Sequence, residues 1–151
     1  METGTYVIGR SGGVWRIREK TGDTVVLEEH GGQNTKTIPA NSNEIVRAVC
    51  TGEDMEELIQ RVPYIRTIQA PNERIRREYY DMAMEKYDGV EWICVIKTVY
   101  IREQEHRLTP MERNYGKRAR NYFHGEVSAV LGIPLDRVEA YIEKIVKEDS
   151  W

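Results

Sequence analysis

The chain has 151 residues, 40% of them hydrophobic and 31% charged, with a formal net charge of −3 at pH 7, a balance that fits one globular domain or two small ones. This excludes a protein that holds nucleic acid by bulk positive charge; contact with DNA would need a local basic patch and a partner's help. No stretch approaches the ~20 apolar residues of a membrane span, and METGTYVIGRSGG at the N-terminus lacks the apolar centre of a signal peptide, so the sequence predicts a cytoplasmic protein with no membrane contact.

The first third is rich in Gly, Thr and Val. Tyr6, Val7 and Ile8 make a short strand candidate, punctuated by Ser11, Gly12 and Gly13. VWRIRE, from Val14, alternates apolar with charged residues at the period of a half-buried strand. Thr21-Gly22-Asp23 reads as a turn, TVVLEE from Thr24 as a strand, GGQN from Gly31 as another turn, and TKTIP from Thr35 as a strand closed by Pro39. Short strands at this spacing predict a small antiparallel barrel or strongly bent sheet. The boundary with the next region falls between Ile45 and Gly52, giving a β-rich domain over residues 1–49 and a helical domain over 50–151.

Five helices are predicted there. TGEDMEELIQRV opens at Thr51 with acids in its first turn, where they suit the helix dipole, and is closed by Pro63. Pro71 and Asn72 start a second helix that runs to Asp88 and Gly89. VEWICVIKTVYIREQE is a third, strongly apolar one. Thr109-Pro110-Met111-Glu112 is a capping box with proline at the first helical position, a specific start signal for the fourth. Gly132 stops that helix and Pro134 opens the last, LDRVEAYIEKIVKE. On the fourth helix Met111, Tyr115, Ala119 and Tyr122 form an apolar stripe, widened by Phe123 and Val127. Arg113, Lys117 and Arg120 recur on the opposite face, and Glu112, occupied by the cap, is the only acid between Arg107 and Arg120. Glu126 falls on the apolar stripe, which predicts a buried pairing with an arginine of the bundle.

Cys50 and Cys94 sit in apolar surroundings, and no second Cys or His stands at zinc-ligand spacing, which predicts free buried thiols and no structural metal. Adjacent pairs such as Glu28-Glu29 and Glu56-Glu57 diverge on regular structure, and GRSGG lacks the Lys-Ser/Thr of a phosphate loop. No catalytic constellation emerges, so the expectation is a non-enzymatic protein without cofactor or small-molecule substrate.

A β module beginning YVIGRSGGVWRIRE, followed by helices carrying VEWICVIKTVYIREQEHRLTPMERNYGKRARNYFHGEV, resembles the CarD family of bacterial transcription regulators. The match is strongest over Val95 to Val127, at Leu108, Thr109, Glu112, Arg113, Ala119 and Glu126-Val127; Gly13, Val14, Ile17 and Thr37 to Pro39 carry the N-terminal part. The resemblance implies an α+β chain: a small antiparallel β (Tudor/SH3-like) domain, shared with transcription-repair coupling factor, then five helices. It implies binding to the RNA polymerase β subunit through the first domain; the short polar strand TKTI, with Lys36 and Thr37, is a candidate edge for strand addition, and the turn-flanking Lys20 a candidate contact for an acidic surface. It also implies weak, non-specific contact of the helical domain with double-stranded promoter DNA, stabilising promoter complexes, with Arg76 and Arg113 on family basic positions; the basic face of the fourth helix adds Lys117 and Arg120 as candidates, and the start of the second adds Arg74 and Arg77. Two positions depart from the family: Glu73 stands where it carries a tryptophan wedge, and GRSGG replaces its Tyr-Pro-x-x-Gly turn. A protein-interaction module of the same ancestry without DNA contact is the second reading, which Glu73 and the net acidity permit.

Overall fold

Five strands precede five helices in the computed structural model, which describes residues 1–148; Asp149 to Trp151, assigned above to the helical domain, lie outside the described residues. Strands β1 (Tyr6–Gly9), β2 (Val14–Lys20), β3 (Thr24–Glu29), β4 (Thr35–Pro39) and β5 (Ile45–Ala48) form one antiparallel sheet in the order β4-β3-β2-β1-β5. The chain is therefore α+β, as predicted.

Strand geometry sends successive side chains to opposite faces, and the sheet uses both. On one face Val7, Ile17, Val25 and Leu27 close a cluster of their own, flanked by Trp15, Ile38 and Ile45. On the other, Ile8 and Val14, paired across β1 and β2, join the helical core. Val7 and Ile8 are both fully buried, and each such side chain contributes roughly 1.5–3 kcal/mol of transfer free energy. The alternation seen from Val14 onward thus serves two cores, with Val14 and Ile17 on opposite sides.

β5 falls where the sequence reading places only a boundary. Its IVRA is half-buried throughout, without an alternating signature. It is held by β1, nearly forty residues earlier in the chain, through Val7↔Ala48 and Ile8↔Arg47, with a register shift beyond Ile8.

The helices are α1 (Gly52–Gln60), α2 (Glu73–Met84), α3 (Gly89–Gln104), α4 (Pro110–Leu131) and α5 (Val138–Glu148). Thr51, Asn72, Asp88 and Thr109 cap the first four, each side chain accepting from a backbone N–H two or three residues on. Three ends differ from expectation. Pro63 stands inside a 3-10 turn, Val62–Tyr64, that follows α1. The second helix stops at Met84 because Tyr87 adopts φ 50 and Asp88 is already the cap of α3. Pro134 is extended, and a 3-10 turn at Leu135–Arg137 precedes α5.

α4 is the axis of the molecule. It packs on α3 along one flank and on the sheet along another, where a Cβ added to Gly125 would stand 2.8 Å from Val14 Cγ2, so the close approach of helix to sheet requires glycine. Gly132 ends the helix at φ 69. At the other end Thr109 Oγ1 accepts from Glu112 N at 3.2 Å, and Glu112 Oε1 accepts from Thr109 N at 3.3 Å. Thr109→Ala removes one acceptor of this box and is expected to cost ~1 kcal/mol. Because α4 carries the core, the loss should appear as a lower global denaturant midpoint; an unchanged midpoint would contradict it.

Cys50 and Cys94 are free thiols, as predicted, but both are half-buried and not fully buried, because each lies at the margin of the helical core. Burial, with the charge of Glu126, pushes Cys50 up to about 11, so it stays protonated near neutrality. No helix among the described residues is long and apolar enough to cross a membrane.

Candidate interaction surfaces

β4 lies at the end of the strand order, so among the described residues one of its edges has no strand beside it. Which backbone groups face that edge follows from the ladder. Ala40 N donates to Asp23 O and Glu29 N donates to Asn34 O. The register between them is regular, pairing Val25 with Ile38 and Leu27 with Lys36. Residues 34, 36, 38 and 40 therefore turn their N–H and C=O toward β3, while those of Thr35 and Thr37 point outward. Pro39, also on the outward parity, has no N–H to offer. Thr37 is exposed in side chain as well.

The two lysines named with Thr37 are engaged within the chain. Lys36 Nζ lies 2.9 Å from Glu44 Oε1 and 4.2 Å from the centroid of the Trp15 ring. Lys20 Nζ donates to Met1 O at 2.8 Å. Lys36 thus covers Trp15 beside the sheet's own core, and the outward backbone of Thr35 and Thr37 is the part of this edge left open.

Arg113, Lys117 and Arg120 are exposed and share one stripe of α4. Arg113 faces an acid that a scan along α4 cannot reveal: its Nη1 lies 4.0 Å from Glu103 Oε1 of α3, with both side chains more than half exposed. A solvated pair at that distance is worth ~0–1 kcal/mol and leaves the guanidinium available to a stronger anion. Arg120, at the other end, lines a groove of about 650 Å³ between the sheet and α4, together with Asn121, His124, Trp15 and Lys36.

The α2 arginines divide. Arg74 is exposed. Arg77 lies on the α4 side, within hydrogen-bonding reach of Tyr115, whose hydroxyl donates to Asp81; burial and that carboxylate raise the Tyr115 pKa. Arg118 covers the same ring from 5.4 Å, a contact the stripe pattern did not single out. Arg76 turns to the other flank, toward the end of α3, where its Nη2 donates to Ala70 O at 3.5 Å. The six cations thus occupy the α4 stripe and both flanks of α2.

Two buried carboxylates organise the interior. Glu112 is fully buried; one oxygen serves the cap, and the other receives the Tyr80 hydroxyl at 2.7 Å and lies 2.5 Å from Arg102 Nε. Burial opposes its ionisation, but the Tyr80 hydrogen bond and the Arg102 guanidinium beside it outweigh that and hold the carboxyl below the usual range. Glu126 is paired as predicted, but by Arg47 of β5 and not by an arginine of the bundle. No family model matches the chain, and no curated protein matches it.

Proposed function

We propose that this chain is a non-enzymatic bacterial transcription regulator of the CarD type. It binds the RNA polymerase β subunit by adding a strand of that subunit to the open edge of β4, and it lays the Arg113–Lys117–Arg120 stripe against promoter DNA. The observation that carries this reading is the β4 edge, where the outward backbone of Thr35 and Thr37 has no partner among the described residues. Such an edge is a template for strand addition, with affinity from main-chain hydrogen bonds. The exposed stripe supports phosphate contact without base readout. Higher affinity for the melted promoter complex than for the closed one shifts that equilibrium and lengthens the complex's life. Placement by the polymerase supplies the local concentration that a chain of net charge −3 lacks.

The test is promoter-complex lifetime with polymerase present, for the wild type and for Arg113→Ala combined with Lys117→Ala. The double variant should capture the β subunit from a bacterial lysate normally but give shorter-lived complexes. Its slope of log affinity against log salt should be shallower by about one for each phosphate that it no longer neutralises. Equal lifetimes at every salt concentration would favour the second reading, an interaction module without DNA contact. The ion pair of Arg113 with Glu103 and the dispersal of the α2 arginines support that alternative.

A further inference from the structure

Residues 67–70, Arg76 and the last turns of α3 enclose a cavity of about 200 Å³ lined by three arginines, Arg76, Arg102 and Arg107. Guanidinium groups carry five N–H donors each and no acceptor, and few of these donors are used here. Arg102 Nε faces Glu112 as an ion pair without a well-formed hydrogen bond, and one Nη2 donor goes to Arg107 O at 3.1 Å. Among the described residues Arg76 makes one hydrogen bond, to Ala70 O at 3.5 Å, and Arg107 Nη1 stands 4.0 Å from Glu105 Oε2.

The nearby carboxylates do not balance the three cations. Glu112 is already committed to the cap, Tyr80 and Arg102, and Glu105, which also lines the cavity, is exposed to solvent, so two carboxylates stand against three guanidinium groups. Like charges gathered around a partly enclosed space repel one another unless an anion joins them. The walls are also set in advance. Ile68 N donates to the buried Thr98 hydroxyl at 2.8 Å, tying the 67–70 segment to α3, and Arg102 is held by Glu112.

We propose that this cavity is an oxyanion site that takes a phosphate group. Planar guanidinium forks match the oxygens of a tetrahedral phosphate. The space admits one such group with a few waters but is smaller than the pockets that enclose drug-sized molecules. The rest of the ligand therefore lies outside. The group comes either from a free phosphorylated small molecule, which goes beyond the polymerase reading, or from a nucleic-acid backbone, which rests on that reading and extends the DNA contact expected of Arg76.

The experiment uses the full chain and inorganic phosphate. Thermal midpoints are measured against phosphate concentration, with sodium chloride matched for ionic strength, for the wild type, Arg107→Ala, Arg76→Gln, and Arg18→Ala as a charge control on the sheet. The wild type and Arg18→Ala should show a saturable, phosphate-specific rise. Each pocket variant should raise the phosphate dissociation constant roughly tenfold or more, since each loses a charge-assisted bond. Circular dichroism checks that the variants fold. If phosphate raises the wild-type midpoint no more than matched chloride does, or if both pocket variants keep the full response, the proposal is overturned. Competition against a short DNA duplex assigns the source: displacement by phosphate points to a backbone phosphate, and phosphate binding without displacement points to a free phosphorylated molecule. Capture of polymerase depends on β4 and is indifferent to these outcomes, so the two proposals fail separately.

Discussion

Arg47→Ala should destabilise the chain by about 3–5 kcal/mol, the cost of stripping the partner from a buried charge. The Glu126 carboxylate is 1% exposed and accepts from Arg47 Nη1 at 2.6 Å, Arg47 Nη2 at 2.9 Å and Cys50 N at 3.0 Å. The same guanidinium donates to Tyr87 O at 2.8 Å and Ala48 O at 3.1 Å. One side chain from β5 thus ties together the sheet, α4 and the connection between α2 and α3. Without it the carboxylate keeps a single backbone donor, and two carbonyls lose theirs. Against a total stability typically of about 5–15 kcal/mol, that is a large fraction.

Arg47→Met with Glu126→Leu removes both charges and should recover much of the loss, because the cost lies in the unpaired charge and not in the absence of the pair. The freed carbonyls set the remainder. Equilibrium denaturation read by far-ultraviolet circular dichroism and by tryptophan fluorescence checks this, with Trp92 buried 5.4 Å from the Arg47 guanidinium. A single-variant loss below ~1 kcal/mol would show that the pair does not hold the two regions together.

Features set by neighbouring residues were legible in the sequence. Thr51, Thr109 and Gly132 end or begin helices through contacts with residues a few positions away, so local chemistry announces them. Tyr115 and Tyr122 read as core from helical spacing, and both are buried. What was hidden depends on elements far apart in the chain. β5 has too few residues for a periodic signal and exists because β1 pairs with it. Glu126 stood out as an acid on an apolar stripe, but its partner comes from 79 residues away, outside the bundle. The intramolecular neighbours of the candidate surfaces were hidden in the same way. Counting acids along one helix cannot find Glu103, which α3 brings beside Arg113, and a strand motif cannot show that Lys36 is spent on Glu44 and Trp15. Helical spacing also set Arg76 and Arg77 on opposite flanks of α2, although they are adjacent in sequence.

On the proposed strand-addition reading, Thr37→Pro is expected to abolish capture of the polymerase β subunit while leaving the fold in place. Alternation along β4 directs the Thr37 N–H away from β3, so proline there removes no bond of the β3–β4 ladder. It deletes one of only two N–H donors that β4 offers on that side, Pro39 having none, and its ring occupies the space an incoming strand needs. Edge strands tolerate proline where the lost donor faces outward, so the stability change should stay near ~1 kcal/mol, a cost arising mainly from drawing φ toward about −65°. Lys36→Pro provides the contrast: its N–H points to β3, so the same residue type one position earlier should break the ladder and unfold the edge. Capture from a bacterial lysate and the denaturant midpoint are read together on both variants. If Thr37→Pro folds normally and still retrieves the β subunit, the polymerase does not use this edge, and strand addition at β4 is the wrong account of how this chain finds its partner.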